Sequence, residues 1–66
     1  METMNTDRNL VFEAYIERVS DGQGSHVWEV TVCQNGEIIA TFRDYSRKTV
    51  EATTLAQFPS VDIEPA

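Results

Sequence analysis

The chain of 66 residues holds one cysteine, one histidine, one lysine and no long apolar run. Each scarcity removes a class of structure. With Cys33 alone, no disulfide can form within the chain. Cys33 and His26 together fall short of the several Cys or His ligands a structural zinc takes, so no cofactor is expected. A membrane helix needs about 20 consecutive apolar residues, so no membrane partner is expected either. The opening METMNTDRN lacks the apolar core of a secretory signal, and a lone cysteine fits a reducing compartment, so the chain is expected to be cytoplasmic. Basic groups are few: Arg8, Arg18, Arg43, Arg47 and Lys48 stand against eleven acids, for a net charge of −6. Duplex-binding surfaces are basic, so nucleic acid is not an expected partner.

A chain this short forms one domain with a small core. Below roughly 70–80 residues a fold usually leans on disulfides, a metal or a partner chain. With the first two set aside, self-association as a homodimer is the expected support.

What the chain does contain is alternation. In NLVFEAYIERVS, residues 9–20, Leu10, Phe12, Ala14 and Ile16 share one face, with Glu13, Tyr15 and Glu17 on the other. After the polar turn DGQGS, residues 21–25, HVWEVTV groups Trp28, Val30 and Val32 against Glu29 and Thr31. EIIATFRDY, residues 37–45, groups Ile38, Ala40 and Phe42 against Ile39, Thr41 and Arg43. Asn-Gly at 35–36 marks a hairpin. A two-residue loop, Asn35-Gly36, splits the apolar sets, placing Val32 opposite Ile39 and Trp28 opposite Arg43. A three-residue loop, residues 34–36, places Val32 by Ile38, Val30 by Ala40 and Trp28 by Phe42. Burial selects the second register, because a slip of one residue turns every side chain over. In the first hairpin the same logic sets Ile16 opposite Trp28, Ala14 by Val30, Phe12 by Val32 and His26 by Arg18.

The cover for this face is SRKTVEATTLAQFP, residues 46–59: Ser46 suits an N-cap, Pro59 ends the segment, and Ala52, Leu55, Ala56 and Phe58 are expected to face inward. The β-branched Thr49, Val50, Thr53 and Thr54 lower its helix propensity. The expected fold class is α+β: a three-stranded antiparallel meander with one C-terminal helix packed on one face (β-β-β-α), homodimeric. Residues 9–59 form the domain, with flexible tails at 1–8 and 60–66.

The stretch NGEIIATFRDYSRK, residues 35–48, resembles the YegP-like small domain of unknown function, in which Asn-Gly, an apolar strand, Tyr and Ser/Lys open a helix. Phe12, Tyr15 and Trp28 stand where that family's first two strands would lie. The resemblance implies a β-β-β-α unit, in tandem copies or as dimerising single copies, with no established catalytic residues and no cofactor.

Several side chains invite a functional role. On the outward face Tyr15, Val27, Ile39, Arg43 and Tyr45 form a mixed apolar and aromatic set suited to an interface. Glu13, Glu17 and Glu29 read as a solvated acidic face, since a metal needs a denser ligand set. His26 and Cys33 lack the partners a nucleophilic site requires. Trp28 reads as a core anchor. Arg43, Arg47 and Lys48 surround the helix start, where an anion could bind, although no glycine-rich loop accompanies them. The sum is a non-enzymatic protein that homodimerises and serves as a protein-interaction module. Its alternative is an acidic inhibitor, antitoxin-like, that binds a basic protein.

Overall fold

A computed structural model describes residues 11–66. Its elements follow in the order β1 (Glu13–Ser20), β2 (His26–Gln34), β3 (Glu37–Asp44), α1 (Arg47–Gln57) and β4 (Ile63–Pro65). The strands make one sheet, ordered β3-β2-β1-β4. Pairing is antiparallel except between β1 and β4, which run parallel. Among the described residues the architecture is α+β, with an antiparallel-dominated sheet and one helix.

The sheet has four strands where the sequence reading gave three, and residues 60–66 are part of the fold rather than a tail. Connectivity explains where the fourth lands. After the β1-β2-β3 meander, α1 runs back over the sheet, so the next strand points along β1 and joins its free edge. Val61 is buried in the core, and Ile63 packs against that core. Ile63, Glu64 and Pro65 pair with Ala14, Tyr15 and Ile16, and the Ala66 N–H donates to the Ile16 carbonyl at 3.0 Å. Leu10 and the tail at 1–8 lie outside the described residues.

The first hairpin pairs Ile16 with Val30 and Ala14 with Val32, two residues away from the expected register but on the expected face. His26 lies opposite Ser20, not Arg18, which instead faces Trp28. The cause is a tight turn. The Asp21 N–H donates to the Ser25 carbonyl at 3.0 Å, and Asp21 Oδ1 accepts from the N–H groups of Gln23 and Ser25 at 2.8 and 3.1 Å. An aspartate that satisfies its own loop in this way lets the strands pair right up to Ser20 and His26.

The second hairpin corrects the three-residue loop. Asn35 and Gly36 both have positive φ, 55° and 82°, the signature of a two-residue turn of the primed type. Gln34 pairs with Glu37 and Cys33 with Ile38, but Val32 then pairs with Ala40. Ile39 is thus an extra residue on β3, a bulge opposite the Val32–Cys33 step. It returns Ala40 and Phe42 to the face of Val32 and Val30. The demand for a common apolar face is met by a bulge rather than a longer loop. The residue it displaces is Ile38, 67% exposed and outside the core to which it was assigned.

The helix begins as expected, with Ser46 Oγ accepting from the Thr49 N–H at 3.2 Å. Its inward stripe is different. Val50 and Thr54 are buried and Phe58, the C-cap residue, packs on the core, whereas Ala52, Leu55 and Ala56 are exposed. The slim β-branched Val50 lies in the core cluster and Thr54 is fully buried, and this burial outweighs their poor propensity. The Thr54 hydroxyl donates to the Val50 carbonyl at 2.8 Å, so it carries no unmet hydrogen bond into the core. Ala14, Ile16, Val30, Val32, Val50 and Val61 form that core, edged by Phe12, Trp28, Ala40, Phe42, Phe58 and Ile63.

Candidate interaction surface

The helix covers one face of the sheet. The other is built from cross-strand rows that the register fixes. One row runs Tyr15, Thr31, Thr41, with Glu64 of β4 beside Tyr15. The next runs Glu17, Glu29, Arg43. Like charges directly opposite destabilise a strand pair, and Glu17 faces Glu29. Arg43 offsets this, its Nε lying 2.7 Å from Glu29 Oε2. The Glu29 side chain is only 15% exposed, so this ion pair is better shielded than an ordinary surface pair. Arg43 is therefore partly committed inside the chain.

The expected interface residues separate. Ile39, 43% exposed, and Tyr45, 67% exposed, stand open to solvent; Tyr15 is half-buried. Val27 is not available to a partner, since it is 6% exposed although it lies on the face away from the helix. Its cover is local. Asp21, Val27, Arg43, Asp44 and Tyr45 line one shallow hollow of about 330 Å³. The Tyr45 hydroxyl donates to Asp21 Oδ2 at 2.8 Å, tying the β3 end to the first turn.

This clasp has a pH signature. The backbone N–H of Gln23, then the Tyr45 hydroxyl, hold the Asp21 carboxyl below its ordinary value, and the Asp21 bond pushes the Tyr45 phenol above its own. A lowered carboxylate contributes stability above the ordinary carboxylate range, lost as pH falls through the folded value. A raised phenol contributes below the ordinary phenol range, lost as pH rises through the folded value. The clasp is expected to hold across the neutral range and open at both ends. Asp21→Asn should return the Tyr45 titration, followed by NMR, toward that of free tyrosine. An unchanged Tyr45 titration would show that the bond does not form in solution.

At the opposite corner, Tyr15 shares a hollow of about 310 Å³ with Phe12, Glu13, Ala14, Ser60, Asp62 and Glu64. The Glu13 carboxylate is the main cause of a raised Tyr15 phenol. Asp62 and Glu64 went unrecognised in the sequence because they were assigned to a tail; the alternation of Val61 and Ile63 with them was the available signal.

The cations at the helix start do not converge. Arg43 bonds Glu29 on the outer face, while Arg47 bonds Glu51 at 3.1 Å and lies over the Trp28 ring, 5.0 Å from its centroid. Arg18 approaches the same ring at 5.9 Å. Trp28 is thus a half-buried edge of the core flanked by two guanidinium groups, each contact worth about 0.5–1 kcal/mol at such exposure. Among the described residues no group of three or more His, Cys, Asp or Glu is arranged to hold a metal ion. No helix among them is long and apolar enough to cross a membrane. No protein-family model, curated protein or solved structure matches the chain.

Proposed function

We propose that the chain is a non-enzymatic, cytoplasmic interaction module that homodimerises and uses its open sheet face and edge to bind protein, with no cofactor, nucleic acid or membrane partner. The observation that supports this is the one-sided cover: among the described residues a four-stranded sheet carries a single helix, and its other side presents Tyr15, Ile38, Ile39 and Tyr45 among polar residues. Ile38, Ile39 and Tyr45 are exposed along β3 and at its end, and such apolar groups on a small domain favour a partner over water. The same proposal takes the chain as a single copy of the YegP-like domain, on the strength of residues 35–48.

Light scattering behind a sizing column tests it. A mass near twice the 7.5 kDa chain is expected. Because each copy carries −6, the dimer should tighten as salt rises and screens the repulsion. A monomer at every salt and concentration would sink the proposal.

A second reading is favoured by the hollow at Tyr15, whose rim carries Glu13, Asp62 and Glu64. There the chain would act as an acidic inhibitor of a basic protein. That affinity should fall with salt, opposite to the dimer, so one salt series separates the two.

A further inference from the structure

We infer that the second copy docks along the β3 edge, antiparallel about a two-fold axis through Phe42, so that two sheets join into one. The inference rests on the self-association proposed above and names its surface. Among the described residues the strand order leaves two edges, β3 and β4. β4 is three residues long and includes Pro65, which has no N–H to donate, with acidic Glu64 beside it. β3 has eight residues and, among the described residues, no neighbour on its outer side. An unpaired edge of that length is a template for another strand.

The bulge sets the register. It breaks the alternation at Ile38 and Ile39, so residues 40–44 are the regular part of the edge. Their midpoint is Phe42. Pairing about it sets Thr41 opposite Arg43 of the other copy, Ala40 opposite Asp44, and Ile39 opposite Tyr45. No like charges then stand directly opposite. Ile39 and Tyr45, exposed and equally far from Phe42, stand opposite each other twice across the axis, while the Tyr45 hydroxyl keeps its bond to Asp21. A strand matched to itself in this way fits a second copy better than an unrelated partner.

The helix side agrees. Phe42 is half-buried and meets Phe58 edge-to-face with centroids 6.3 Å apart, and Phe58 meets Phe12 at 5.3 Å. This aromatic row stops at the β3 edge. Across the axis Phe42 meets its own copy, and the two small cores become one. The contact is one strand wide, so dissociation on the order of 10–100 μM is expected.

Two variants mixed test the register. Ile39→Glu and Tyr45→Lys should each weaken the dimer about ten-fold or more, by setting a charge against an apolar group. An equimolar mixture should restore it, because one of its two contacts is native and the other joins opposite charges. Tyr45→Lys also keeps a partner for Asp21. Amide exchange on the unaltered protein gives a readout free of any folding defect: protection that rises with concentration should be confined to β3. A wild-type dimer whose variants are not rescued by mixing, or whose protection maps elsewhere, overturns the edge docking and leaves self-association standing. A wild-type monomer up to millimolar concentration overturns both.

Discussion

Removing residues 60–66 is expected to cost the domain most of its stability. A chain of this length has roughly 3–10 kcal/mol in total. Val61 is 6% exposed, and burying a valine contributes about 1.5–3 kcal/mol. The deletion also removes Ile63 from the edge of the core and the β4 ladder from Ala14, Tyr15 and Ile16. It opens the core beside Ala14 and Ile16 and leaves the β1 edge bare. The combined loss is on the order of 3 kcal/mol or more, read as the fall in unfolding free energy in urea. Val61→Ala should account for about half of it by leaving the backbone pairing in place. A truncated chain with the midpoint and slope of the full chain would show that the last strand is not part of the folded unit.

That strand escaped the sequence reading because its signal is short. Val61 and Ile63 alternate with Asp62 and Glu64, but three paired residues followed by a chain end do not make a periodic pattern. The long alternations in β1 and β2 were legible, and they placed Ala14, Ile16, Val30 and Val32 together as the structure has them. The bulge was not legible, since Ile38 and Ile39 are equally apolar and either could have been the inward residue. The helix stripe was misjudged because propensity counted against Val50 and Thr54, the two residues that packing chose. On the outer face, alternation placed Tyr15 and Tyr45 on the side away from the helix. The burial of Val27 was beyond it, because the cover comes from a hydrogen bond between residues 24 positions apart.

Deleting Ile39 is expected to leave a folded protein of nearly unchanged stability, whereas deleting Thr41 should force the core to repack. Both remove one residue from β3, so the contrast isolates the bulge. Without Ile39 the two-residue turn runs into an unbroken ladder: Cys33 still faces Ile38, Val32 still faces Ala40, and Val30 still faces Phe42. The change in stability should stay within about 1 kcal/mol. Without Thr41 the ladder straightens only by setting Ile39 opposite Val32 and Ala40 opposite Thr31, while Phe42 still faces Val30 and Arg43 still faces Glu29. Ile39 then takes the inward place of the smaller Ala40, and overpacking of this kind costs about 1–3 kcal/mol. Urea unfolding with amide-resolved NMR spectra reads both variants. If deletion of Ile39 costs as much stability as deletion of Thr41, the extra residue of β3 lies elsewhere. The straightened strand has a second consequence. Ile38 steps into the place of Ile39, and the break that ended the regular edge is gone. Bulges blunt edges, so this variant should self-associate more tightly than the natural chain.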